Sequence, residues 1–291
     1  MRIFDISGSE HFCKNFGGIN PGKGVSYFIS KMSSNKISLK EGTPDFDELR
    51  DCLIRESERC AFFSATLYVN SLRNLRESTA AWKVVELYYA AFFCAKSLLA
   101  LFGGWFEGKK GLIQVVLSNP GSLELSVSKN PKTPPLMPPK AGSHQAFWYV
   151  FYDSTRPLRP WISSQDLYAI EPISNDPGHL IGLRNKVNYL SQEQMELFNA
   201  FNGKTAAGLD PPGCFPPDVE FMLNLVQKMQ KITHNFRDKF RVKGDDFTSF
   251  HDLKGAIDQK IITSRDVKFD HYFDSYINNR NLNLVLFCRR H

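Results

Sequence analysis

The six cysteines form no Cys-x-x-Cys pair, and the seven histidines never fall at His-x3-His or His-Glu-x-x-His spacing. Without such ligand sets, zinc chemistry has no support, and neither a metal nor a cofactor is expected. There is no Gly-x-Ser-x-Gly elbow for a serine nucleophile. The run "PGKG" near the start lacks the spacing of a phosphate loop. The opening "MRIFDISGSEHF" has no apolar core like that of a signal peptide. The expectation is therefore a cytoplasmic chain whose cysteines are free thiols, not disulfides. No internal repeat occurs, and no histidine stands between positions 185 and 233.

What is present is apolar and aromatic. Hydrophobic residues make up 42% of the 291, with 24 Phe, enough to bury a sizeable core. The net charge of +6 tolerates a polyanionic partner without demanding one. The most apolar window, "VVELYYAAFFCAKSLLALFGGWF", spans Val84 to Phe106 and is long enough for a bilayer. Glu86 and Lys96 lie inside it, and each would cost about 3 kcal/mol in lipid. A central core helix, with both charges at its edge and no membrane partner, is the better reading.

Punctuation along the chain divides it into three parts. Residues 1–43 are rich in Gly, Ser and Lys and read as an extension of short strands or loops. Thr43-Pro44 then opens a helix that runs to about Arg73. A second helix opens at Ser78 or Thr79 and stops at Gly103-Gly104. An insertion near 107–142 holds a candidate hairpin, "GLIQVVL" with "LELSVS", and then a proline-rich arm over 131–138. Ser143 is read as the cap of an aromatic helix, "SHQAFWYVFYDS". Another helix follows from Pro177 to Asn188, and Ser191-x-x-Gln194 has the capping-box pattern for the next. Asp218 to Lys243 carries Met222, Leu225, Met229, Ile232 and Phe236 at alternating spacings of three and four. Residues 245–291 form a mixed tail with a candidate strand at Leu282 to Phe287. The fold class is mainly α: a helical bundle over 44–244 with a small β component in insertions and tails.

Polar residues cluster in "GLRNKVNYLS", Gly182 to Ser191. On a helix Arg184 and Asn188 lie about 40° apart on one face, as do Asn185 and Tyr189. A guanidinium fork beside amide and phenol groups suits an anion. The same residues also suit a plain helix terminus. Lys228, Lys231, His234, Arg237, Lys239, Arg241 and Lys243 make a basic stripe opposite the apolar one. It can track a phosphate backbone, or simply be a solvated face. Glu86 is placed to face Arg184 across the bundle and orient its fork, or to serve in a structural ion pair.

"ELYYAAFFCAKSLLALFG" followed by "LRNKVNYLS" resembles the HEPN superfamily of helical bundles. The resemblance runs over roughly Asp45 to Lys243 and rests on Tyr88, Tyr89, Ala90, Phe92, Ala95, Lys96, Leu98, Leu99 and the glycine at 103 or 104, with Arg184-Asn185. It implies a homodimer and, in many members, a metal-independent ribonuclease of a toxin or phage-defence system. The family's Arg is followed by His after four to six residues. Here Tyr189 stands where His is expected, and a tyrosine with pKa about 10 is a poor base near neutrality.

Two functions follow. In the first, the protein is an RNA-directed endoribonuclease: Arg184 holds the scissile phosphate, Asn188 and Tyr189 position it, and His179 transfers a proton. Asn185, Glu86, Lys228, Lys231 and Arg237 add binding contacts. In the second, the missing His makes it a non-catalytic module that binds RNA, a nucleotide or a partner protein, with the proline-rich arm as a contact. His144 and His234 lie on other expected helices and are read as structural. A plain oligomeric scaffold is the third possibility.

Overall fold

In a computed structural model of the chain, the described residues are 1–14, 24–73, 80–107, 112–115, 122–129, 137, 141–164, 166, 176–189 and 217–240. They form, in order, α1 (Ile6–Lys14), α2 (Val25–Lys31), β1 (Lys36–Lys40), α3 (Pro44–Arg73), α4 (Ala80–Leu101), β2 (Trp105–Phe106), β3 (Leu112–Val115), β4 (Glu124–Ser128), α5 (Ser143–Thr155), a 3-10 helix (Arg156–Trp161), α6 (His179–Tyr189) and α7 (Pro217–Lys239). The described residues are predominantly helical, in keeping with their apolar periodicity.

The helix α4 is the axis of the molecule. It packs against α3, α5, α6, α7 and β2. Leu87, Tyr88, Ala90, Ala91, Ala95 and Ala100 are all sealed from solvent, and the alanines let neighbouring helices come close. By length and composition it is able to cross a membrane, but most of it is buried within the protein. Its partly open face carries Trp82, Glu86, Tyr89, Phe92, Phe93 and Lys96, which places both charges at the edge, as expected.

The termini of these helices follow from local chemistry. Thr43 Oγ1 accepts a hydrogen bond from the Phe46 amide at 3.4 Å, with Pro44 in the first turn of α3. At the end of α4, Gly103 takes φ +72°, open to glycine at little cost. The Gly104 amide then reaches Leu99 O at 2.9 Å and the Gly103 amide reaches Ala100 O at 3.1 Å. Those paired bonds satisfy the last carbonyls of the helix in a Schellman turn. The turn delivers the chain directly into β2.

The sheet is antiparallel, in the order β1-β4-β3-β2. The hairpin read from "GLIQVVL" and "LELSVS" is present as β3 and β4, with Ile113 opposite Val127. On β4, Leu125 and Val127 are fully buried. The edge strand β1 comes from the N-terminal extension and pairs Leu39 with Leu125.

Several expectations are corrected. Residues 1–43 are not only strands and loops, since α1 and α2 precede β1. Asp5 nucleates α1 by accepting from the Gly8 amide at 2.7 Å, and Ile6, Ser9, Phe12 and Cys13 turn one face inward. Val25, Phe28 and Ile29 do the same for α2. Ser143 is not a cap; extended Gly142 occupies that position and Ser143 is the first helical residue. The last helix ends at Lys239, not Lys243, and its Met222, Leu225, Met229, Ile232 and Phe236 stripe is buried as expected. The capping box at Ser191, the helix after it, the strand at 282–287 and the proline-rich arm apart from Met137 lie outside the described residues.

Candidate functional site

The side chains that meet come from α4, α5 and α6. Packing of α6 on α4 sets Arg184 beside Tyr88, its guanidinium carbon 5.0 Å from the ring centroid. That distance is within cation–π range. Arg184 Nε and Nη2 both donate to Asn185 Oδ1, at 3.2 and 2.8 Å. The fork is thus held by an amide and a ring. No carboxylate among the described residues touches it.

Tyr88 is also met by His144, in the first turn of α5. Its Nδ1 lies 2.9 Å from the Tyr88 hydroxyl. Its ring leans on Phe92 at 4.6 Å and meets Tyr89 edge-on at 5.8 Å. One turn along α5, Trp148 Nε1 donates to the same hydroxyl at 3.2 Å. Trp148 and Tyr88 are both fully buried.

The electrostatics favour neutral rings around a cation. Burial pushes the Tyr88 hydroxyl up to about 12, against smaller opposing effects of the Trp148 hydrogen bond and the Arg184 charge. Burial also lowers the His144 imidazole, and the positive charges of Arg184 and Lys96 lower it further. Lys96 lies over the Trp105 ring at 4.2 Å. Both effects favour the uncharged imidazole of His144, and no carboxylate among the described residues offsets the guanidinium of Arg184.

Of the residues singled out in the sequence, Arg184 and Asn185 come together. Asn188 and Tyr189 share the last turn of α6, and their side chains lie outside the described residues. Glu86 pairs with Lys83 at 3.0 Å, one turn away on its own helix, and not with Arg184. His179 packs edge-on against Phe221 at 5.4 Å, a structural contact between α6 and α7.

The basic stripe of α7 is corrected most. Arg237 is fully buried, ion-paired with Glu58 and bonded to Ser57 Oγ at 3.1 Å, so it cannot serve a ligand at the surface. Lys228 and Lys231 both grip Asp166, at 3.4 and 3.1 Å. His234 is buried against Asp238 at 3.0 Å. Four of the seven groups that read as a face in the sequence are thus engaged by acids of the protein, while Lys239 is exposed and lies 4.7 Å from the Trp161 ring centroid. Arg241 and Lys243 fall outside the described residues.

Tyr88, His144 and Trp148 were missed as site residues. The signal was thin, because each sits in an aromatic run that also reads as packing. Among the described residues no cluster of His, Cys, Asp or Glu is arranged to hold a metal.

Among the described residues, the fold is mainly α with a small antiparallel sheet, and Arg184 stands beside the buried Tyr88 without a carboxylate partner. No family model, curated protein or solved structure matches the chain.

Proposed function

We propose that this chain is an HEPN-like, RNA-directed protein, a cytoplasmic homodimer in which Arg184 seats a phosphodiester. The observation that carries the reading is the state of Arg184. It is half-buried, braced by Asn185 and Tyr88, and lacks an acidic partner among the described residues. A cation so placed attracts an anion, and the fork suits phosphate oxygens. Support for the family comes from the packing of the Arg-Asn helix against the helix that carries Tyr88 and Tyr89.

Such a protein either cleaves RNA or binds it without cleavage. Cleavage at a 2′-hydroxyl needs a proton acceptor. His144 is the imidazole that shares Tyr88 with Arg184, so a ribonuclease of the toxin or phage-defence kind would rely on it. The hydrogen bond between Tyr88 and Nδ1 favours the binding module instead, because it engages one ring nitrogen already.

The test uses purified wild type and Arg184→Ala with total RNA and defined tRNA in EDTA, measuring both binding and products. Arg184-dependent cleavage identifies a metal-independent ribonuclease. Arg184-dependent binding without products identifies the binding module. Equal behaviour of the folded variant and wild type overturns the phosphate seat.

A further inference from the structure

We propose that Tyr88 is a positioning residue that fixes the proton of His144: it holds the imidazole as the neutral Nε2–H tautomer. His144 then offers a hydrogen-bond donor, not a base, to the phosphate attracted by Arg184. The phosphate rests on the reading above. The tautomer does not.

The argument is an accounting of donors. An indole nitrogen only donates, so Trp148 Nε1 gives its hydrogen to the Tyr88 oxygen at 3.2 Å. The Tyr88 hydroxyl keeps its own hydrogen, which needs an acceptor because the residue is fully buried. The acceptor within reach is His144 Nδ1, at 2.9 Å. A ring nitrogen that accepts carries no proton, so in the neutral imidazole the proton sits on Nε2.

Alternatives are closed by packing. Trp148 cannot turn away, since Phe147 and Phe151 press on its ring at 5.3 and 5.7 Å. Protonating Nδ1 would aim a second donor at an oxygen that already receives Trp148, and would leave the tyrosine hydrogen stranded. Among the described residues, the groups facing His144 are Tyr88, Tyr89 and Phe92 from α4, with the charges of Lys96 from α4 and Arg184 from α6 acting on it. None is a carboxylate that would favour the imidazolium.

The result is a matched pair of donors. Among the described residues, Nε2 of His144 has no hydrogen-bond partner, and neither has Nη1 of Arg184. Both residues pack on the Tyr88 ring, at 5.0 Å for the guanidinium carbon and 5.8 Å for the imidazole centroid, and the Arg184 charge acts on the imidazole. Donors without an acceptor, next to a net cation, fit an oxyanion with several oxygens, such as a phosphodiester.

The experiment is long-range proton–nitrogen correlation NMR on histidine-labelled full chain, with His144 assigned by its loss in His144→Gln. The expected spectrum shows the Nε2–H tautomer at about pH 7 and above, with the ring taking up its second proton at lower pH than an ordinary histidine. In Tyr88→Phe the fixed tautomer gives way to a mixture and the ring titrates at higher pH. An Nδ1–H tautomer or an imidazolium at pH 7 in wild type overturns the proposal.

Fluorescence anisotropy with a labelled single-stranded RNA oligomer tests the donor role. His144→Leu is expected to weaken binding about tenfold, and His144→Gln, which keeps a donor, to recover most of it. Unchanged binding in His144→Leu overturns that role. If wild type binds no RNA while the tautomer is as stated, the RNA reading fails and the tyrosine–histidine lock stands. If binding depends on Arg184 while the tautomer is Nδ1–H, the lock alone fails.

Discussion

Arg237 on α7 and Glu58 on α3 form an ion pair with both side chains at 0% exposure. Ser57 Oγ accepts from Arg237 and in turn donates to Ser97 O at 2.9 Å, so the pair ties α3, α4 and α7 together at one level. Breaking such a pair leaves a buried charge behind. Arg237→Ala should lose about 3–5 kcal/mol of stability in urea unfolding. The double variant Glu58→Leu with Arg237→Met should recover most of it, because no charge is then stranded. A loss below about 1 kcal/mol in the single variant would mean that water or another group compensates Glu58.

Arg184 should behave in the opposite way. Its charge is not part of the core, so Arg184→Ala should leave the urea midpoint nearly unchanged. Arg184→Lys should bind RNA roughly tenfold more weakly than wild type, since a point charge lacks the planar fork that Asn185 and Tyr88 brace. Equal affinity of Lys and Arg at this position would show that only charge matters there.

Asp166 gives a pH signature. Burial pushes its carboxyl up, but hydrogen bonds from Ser163 and Lys231 and the charges of Lys231 and Lys228 outweigh that and lower it overall. The folded chain therefore binds this proton less readily than the unfolded one. The resulting stability is full above the unfolded carboxyl value of about 3.9 and is lost as pH falls through the lower folded value. The urea midpoints of wild type and Asp166→Asn should differ at pH 6 and converge on acidification. A difference that stays constant with pH would rule out titration of Asp166 as its source.

The described cysteines should resist alkylation. Burial pushes the thiols of Cys13, Cys60 and Cys94 up to about 12, and that of Cys52 up to about 11. The thiolate is the reactive form, so little of it exists at pH 8. Peptide mapping after iodoacetamide should find these positions unmodified in native protein and modified in urea. Rapid native labelling of Cys60 or Cys94 would mean that α3 and α4 separate readily in solution.

The helical frame was legible because it obeys local rules. Thr43-Pro44 and Gly103-Gly104 mark the ends of α3 and α4 through backbone chemistry, and the stripe of α7 repeats at helical spacing. The short helices α1 and α2 were not legible, because each is held by tertiary burial of Phe12, Val25 and Phe28 rather than by propensity. The basic stripe misled for a related reason. A sequence shows the charge of Lys228, Lys231 and Arg237 but not the Asp166 and Glu58 that consume it from distant elements. Half of the site was visible in Arg184-Asn185. The other half, Tyr88 with His144, depends on how α5 lies against α4, and a lone histidine in an aromatic run does not announce that.

The edge strand β1 has an implication for biosynthesis. Ser38 on β1 meets Glu124 on β4 from 86 positions away. A ribosome exposes β1 well before it has made its partner. Until β4 emerges, that strand has an open hydrogen-bonding edge, and its closure is a long-loop event of the kind that slows folding. The helix α4 and its glycine turn are complete before then. The nascent chain can therefore form its helical axis first and zip the sheet shut late.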